Sequence, residues 1–243
     1  MASPSGTDPY NPDLAYVHHR GYGRHGEVTA PGVLALLRPV LERGGLVHEV
    51  GAGSGALTAR LVAAGHRVVA SDASSAMVAL LRENVPGAEV RRLRLPDDDL
   101  PAADAVVGVG HALNYLPDAD SVRRGVVALG ASVRPGGVLA VDLCDLSFGE
   151  GRDAPFARVG DDWASVTRFS LPAPDRFVRD ITTFVREDDG RWRRADERHV
   201  STLVDTSLVP GWLEAVGVRA VVRDAFGDEA LPAGLVAVVG VRD

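Results

Sequence analysis

Lysine is missing from this 243-residue chain, whose 26 basic residues are all arginine. Its absence excludes Schiff-base chemistry on a lysine amine and deprives any Walker-type phosphate loop of its cation. Cysteine is almost as scarce. Cys144 stands alone, so no intramolecular disulfide forms and a cysteine-built zinc site lacks its thiols. No apolar run approaches the roughly 20 residues that span a bilayer, so no membrane partner is expected. Positive charge is in the minority, with a formal net charge of −7. Phosphate binding rests on clustered cations, which argues against nucleic acid as the main partner and for a small molecule. The stretch from Met1 to Asp13 has neither a basic n-region nor an apolar h-region, and a cytoplasmic protein is expected from it.

Hydrophobic residues make up 46% of the chain, enough for a substantial core. The length exceeds the usual single-domain mode of about 100–150 residues without reaching a comfortable two-domain size. One domain with an insertion or lid is expected.

Val33 to Leu41 carries apolar residues at helical spacing and ends at Gly44-Gly45. Leu46 to Val50 reads as a strand, Gly51 to Gly55 as a glycine-rich turn, and Leu57, Leu61 and Val62 as the stripe of the next helix. The alternation repeats. Val68 to Ala70 is a strand ending at Ser71-Asp72, a helix runs from about Ser74 to Glu83, and Ala88 to Leu93 is a third strand. Ala105 to Val109 is apolar on both faces, as a central parallel strand should be. A helix over about 120–133 and a strand over Val138 to Leu143 follow, separated by Arg134-Pro135-Gly136-Gly137. Such alternation predicts a Rossmann-like, doubly wound α/β sheet. Beyond it the pattern changes. Val178 to Glu187 and Arg191 to Val204 form β-rich runs joined at Asp189-Gly190, a hairpin signal, and Trp163 to Ser170 is a candidate neighbour. A helix at about Leu208 to Val216 then leads to Val218 to Arg223 and Leu235 to Val241, a hairpin completing a mostly parallel sheet with an antiparallel last strand.

Chemistry concentrates in Glu49-Val50-Gly51-Ala52-Gly53-Ser54-Gly55, at the end of the first strand. A dinucleotide site prefers Gly-x-Gly-x-x-Gly around a pyrophosphate, whereas this run is Gly-x-Gly-x-Gly with an acidic residue just upstream. A carboxylate there repels a pyrophosphate and attracts an ammonium. Asp72 ends the second strand, where a free carboxylate suits the hydroxyls of a ribose. Glu49 to Gly55 and Asp72 together resemble the class I S-adenosylmethionine-dependent methyltransferases. The similarity continues through Asp97-Asp98-Asp99-Leu100-Pro101, Asp104 to Val107 and Leu113-Asn114-Tyr115-Leu116.

The resemblance implies S-adenosyl-L-methionine as cofactor, bound by Glu49, Gly51, Ala52, Gly53, Asp72 and Ala73. It also implies Arg94 and Leu95 flanking adenine, and Gly110 and His111 bordering the methyl group. It implies a lid over the cofactor from residues 1–32, a cofactor-binding core over 46–143, a β-rich cap inserted over 146–204 and a return to the core sheet over 205–243. The cap resembles that of glycine- and aminosugar-type N-methylating enzymes and implies a small-molecule methyl acceptor, methylated on N or O. Transfer then needs in-line alignment and a base, a role that suits histidine. Of the seven histidines, His111 at a strand end is the first candidate, followed by His18 and His19 in the N-terminal segment. Tyr16, Tyr22, Tyr115 and His199 are candidate substrate contacts. Asp142 and Asp145 flank the fifth strand's end without further matched ligands, so no metal is assigned. Two other readings remain: the same cofactor steering a cyclisation, elimination or rearrangement, and a non-catalytic binding module.

Overall fold

The protein is described here by a computed structural model covering residues 9–152 and 154–243. Residues 1–8, the start of the expected lid, lie outside the described residues. Two helices come first, α1 (Pro12–Gly21) and α2 (Arg24–Glu42). Then follow β1 (Leu46–Val50), α3 (Ala56–Ala63), β2 (Arg67–Asp72), α4 (Ser75–Asn84), β3 (Glu89–Arg92), β4 (Ala103–Gly108), a 3-10 turn (Ala112–Tyr115), α5 (Ala119–Ser132) and β5 (Val133–Cys144). The insertion holds β6 (Phe156–Val159), β7 (Trp163–Ala173), β8 (Arg176–Arg186) and β9 (Trp192–Thr202), after which come α6 (Val209–Glu214), β10 (Val218–Arg223) and β11 (Leu235–Arg242).

The strands build a seven-stranded sheet of order β10-β11-β5-β4-β1-β2-β3 and a separate four-stranded antiparallel sheet, β6-β7-β8-β9. In the larger sheet β11 alone runs against its neighbours, pairing antiparallel with both β5 and β10. This is the doubly wound sheet with an antiparallel β cap that the sequence pattern predicts. Two-residue periodicity explains the layers. Along β4, Ala105 and Val107 join Leu37, Leu57 and Leu61 on one face, while Val106 joins Val126, Leu129 and Leu213 on the other.

The N-terminal region departs from expectation. The helix placed at Val33 to Leu41 begins at Arg24 and passes through Pro31 and Pro39, each lacking the N–H that would bond four residues back. The Tyr16 to Tyr22 segment is itself largely helical. Asn11 caps α1 by accepting the Leu14 N–H, Pro12 occupies its first turn, and Leu14, Ala15 and Val17 are buried.

Asn114 joins the core sheet to the cap. Its amide nitrogen donates to the carbonyls of Thr202 (2.6 Å) and Cys144 (3.3 Å), and its oxygen accepts the Cys144 N–H (2.9 Å). The side chain is fully buried. Asn114→Ala therefore strands these backbone groups away from water and is expected to cost about 2–3 kcal/mol in urea unfolding.

Candidate active site

The parallel strands β1, β2 and β4 end on one side of the sheet, and there a crevice of about 560 Å³ opens, within the range of small-ligand sites. Its wall contains Glu49, Gly51, Ala52, Gly53, Asp72, Ala73, Arg94, Leu95 and Gly110 from the core, with Tyr115 from the 3-10 turn and His18, Tyr22 and His25 from the N-terminal helices.

Gly53 (φ 56°) and Gly110 (φ 106°) take left-handed backbone conformations, and a Cβ on either would stand in open space. Their bare backbones are thus a cradle that a side chain would fill. The Asp72 carboxylate is not free, as expected from sequence, but already holds the loop. Oδ2 accepts the Gly53 N–H (2.9 Å) and Oδ1 the Ser74 N–H (2.8 Å). A carboxylate offers about four lone-pair sites, so two backbone bonds still leave capacity toward a ligand's hydroxyls.

Glu49 is only 2% exposed, and its Oε2 has no partner among the described residues. Burial pushes its carboxyl up to about 8, an effect that the neighbouring Thr58 hydroxyl partly opposes and the Asp72 charge adds to. An ammonium or sulfonium entering the crevice would supply the missing counter-charge. The cradle, the orphaned carboxylate oxygen and Asp72 fit the cofactor that the sequence resemblance implies.

Asp142, at the end of β5 and 1% exposed, accepts the N–H groups of Gly110 (2.8 Å to Oδ2) and His111 (2.6 Å to Oδ1). His25 Nε2 lies 3.0 Å from Oδ2. Asp145 instead accepts the N–H and the hydroxyl of Thr206 at its Oδ2.

Several residues sit where sequence spacing did not put them. His111 contributes its backbone, held at φ 51°, while its ring stacks on Tyr115 and tilts against Phe148. Burial, with the Arg179 charge nearby, lowers its imidazole to about 3. His18 does line the crevice, packed edge-on against Tyr10, and burial brings it to about 4. His19 is not among the residues that line the crevice, but its Nδ1 lies 3.1 Å from the hydroxyl of Ser54, which is. Tyr16 bonds Asp162 in the cap, and the Tyr22 hydroxyl, although the ring lines the crevice, meets Ser165 at 2.7 Å.

His199 stands one layer back. Its Nδ1 is 3.1 Å from the Tyr115 hydroxyl and its Nε2 2.8 Å from Glu197. Tyr115 also accepts from Arg179 Nη2 (2.7 Å) and lies 3.0 Å from the Tyr10 hydroxyl. Glu197 takes the N–H groups of Tyr10 (2.9 Å) and Asn11 (2.7 Å), and Arg193 grips Asp13 bidentately at 2.6 and 2.9 Å. The cap therefore fastens α1 over the crevice, and no cap residue is among those that line it.

Sequence reasoning passed over His25, Tyr10, Arg179 and Glu197, and left Asp142 without a role. The usable signal was composition: Asp142 interrupts the apolar, buried run from Val138 to Cys144 in β5, and a carboxylate there needs partners.

Comparison with known proteins agrees with this geometry. The sequence profile of a methyltransferase domain matches residues 47–137. A curated relative named as a methyltransferase, from Geobacillus sp., is 26% identical over 196 residues, 76% of this chain and 78% of its own length. A methyltransferase of Aspergillus terreus is 31% identical over 59% of this chain, which spans only 45% of that longer protein. Among solved structures, a sugar N-methyltransferase from Streptoalloteichus sp. superposes with a TM-score of 0.79 at 23% identity, covering 100% of this chain and 98% of the other. An amino pentose methyltransferase from Micromonospora echinaspora, solved with S-adenosylmethionine bound, gives 0.73 at 22% identity, with 98% and 99% covered. Residues 47–137 are thus matched as a methyltransferase domain, and the whole chain has the fold that these methyltransferase structures share.

The raised Glu49 carboxyl fixes a pH dependence. A group shifted from its ordinary 4.5 up to about 8 stabilises the fold fully below 4.5 and loses that contribution as the pH rises through about 8. Thermal melts of the cofactor-free protein from pH 5 to 9 are expected to fall more steeply for the wild type than for Glu49→Gln.

Proposed function

We propose that the protein binds S-adenosylmethionine in this crevice and transfers its methyl group to a nitrogen of a small, hydroxylated acceptor of the amino-sugar type. The carrying observation is the whole-length likeness to a sugar N-methyltransferase and an amino pentose methyltransferase, set on a crevice whose buried acidic groups suit a cationic cofactor. Glu49 pairs with the methionine ammonium, Asp72 receives the ribose hydroxyls, and Arg94 and Leu95 border the adenine. The bound sulfonium supplies an activated methyl and a good leaving group. The protein's part is alignment, exclusion of water and removal of the acceptor's proton.

Tyr10, Tyr22 and Tyr115 close the crevice on the acceptor side. The cap sets their positions from behind, through Glu197, Ser165, His199 and Arg179. A lid held in this way excludes water from the reacting atoms and must release for exchange.

Three measurements test the reading. Asp72→Ala is expected to weaken cofactor binding by about 1–3 kcal/mol in calorimetry, and unchanged affinity would remove the ribose role. Binding should also release up to about one proton near pH 7, as the entering ammonium returns Glu49 to its ionised form. Calorimetry in buffers of different ionisation heat reads that proton, and Glu49→Gln abolishes it. Incubation with methyl-labelled S-adenosylmethionine and a panel of amino sugars tests the transfer. Label confined to hydroxyl products, or none at all, overturns the amine acceptor.

A further inference from the structure

An acceptor amine is an ammonium in water near neutral pH and has no lone pair to give until a proton leaves it. The crevice wall holds few groups able to take that proton. Tyr115 already meets Arg179, His199 and Tyr10 at its hydroxyl, which fills the one donor and two acceptor sites a phenol has. Burial has made His18 a poor base. The His111 ring packs behind Tyr115 and is not part of the wall.

His25 differs from all of these. It occupies the second position of α2, it is among the residues that line the crevice, and its side chain is 31% exposed against 1% for its partner Asp142. Asp142 accepts backbone N–H groups from Gly110 and His111, so it is presented as a carboxylate, and the Nε2 atom 3.0 Å away carries the hydrogen between them. Nδ1 is then the unprotonated nitrogen, and among the described residues no group hydrogen-bonds it. An imidazole with one nitrogen fixed by a buried carboxylate and the other left basic is the arrangement general-base catalysis requires. The same Asp142 holds Gly110, whose open backbone forms part of the cradle, so one carboxylate sets both the base and the crevice wall next to it.

We propose that His25 is the catalytic base for the acceptor, taking its proton on Nδ1, with Asp142 as the positioning residue. This rests on the amine-methylating reading above. The acceptor N–H proton passes to Nδ1 and its electron pair remains on nitrogen. That lone pair forms the new N–C bond while the pair of the methyl C–S bond stays with sulfur. His25 ends as an imidazolium beside the Asp142 carboxylate and later returns the proton to solvent.

The test uses the full chain, methyl-labelled S-adenosylmethionine, a panel of amino sugars, and alkoxyamine analogues of the sugars the wild type accepts, whose nitrogen carries no ammonium proton at neutral pH. His25→Ala and His25→Gln are expected to keep cofactor affinity within roughly threefold while turnover on the amino sugar falls by roughly 10²–10⁴. The alkoxyamine should lose less than about tenfold, and added imidazole should restore turnover to His25→Ala at least in part. Asp142→Asn should lower turnover on the amino sugar more than on the alkoxyamine, with thermal melts reporting any loss of fold separately. Equal losses on both acceptors with no imidazole rescue, or a loss confined to cofactor affinity, overturns the assignment of His25. A wild type that methylates no amine overturns the acceptor reading and this proposal together, whereas an active wild type beside an unimpaired His25→Ala overturns the base alone.

Discussion

A carboxylate taken out of water must be matched by donors or by a cation, and the crevice is organised by how its three strand-end acids meet that demand. Asp72 is matched by the Gly53 and Ser74 N–H groups, Asp142 by Gly110, His111 and His25. Glu49 is left unmatched at Oε2. The first two bonding sets shape the loops after β1 and β4. The deficit at the third favours a cationic ligand, because only a cation supplies the counter-charge that the buried Glu49 carboxylate lacks. The same glycine loop that in another chain would cradle a dinucleotide is thereby committed to a positively charged ligand.

The cap acts at one remove. It was expected to shape the substrate pocket directly, yet its contribution runs through α1: Glu197 and Arg193 of β9 seize the start of that helix, and Trp163 of β7 packs beneath Gly21 at its end. Tyr10, held at φ 63°, is thereby set against Tyr115. In the proposed reading acceptor specificity rests on Tyr10, Tyr22 and Tyr115, with the cap setting their positions. Changes in the cap should reshape the crevice only where they move α1 or Tyr115, which is a narrower set than the 146–204 insertion as a whole.

Much of this was legible beforehand, because short-range regularities encode it. Alternating apolar strands and helices, the Glu49 to Gly55 run and Asp72 are local patterns, and they identify the sheet, its antiparallel last strand and the cofactor class. What escaped notice depends on contacts between distant parts of the chain. Glu197 meets Tyr10 across 187 positions and His25 meets Asp142 across 117, separations for which a single sequence has no spacing rule. The expected helix at Val33 to Leu41 misses the start of α2, because proline inside a helical pattern, here Pro31, reads as a boundary, and His25 lies before it. His111 drew attention by its position at a strand end, but its left-handed backbone turns the ring away and leaves only the N–H to work.

The charge balance explains why a base belongs in such a site at all. A sulfonium and a protonated amine approaching to about 4 Å repel by about 4 kcal/mol at an effective dielectric near 20. That penalty rises as the lid excludes water. In the proposed binding mode Glu49 and Asp72 do not relieve it at the reacting atoms, since the first would face the ammonium of the cofactor and the second its ribose. Removing the acceptor's proton ends the repulsion and exposes the lone pair in one step. The cation moves onto His25, where the Asp142 carboxylate 3.0 Å away already stands opposite it. In a chain without lysine, with Arg179 bonded to Tyr115 behind the crevice wall, the acceptor's proton goes in the proposed reaction to the His25 imidazole, which already faces the carboxylate that balances its charge.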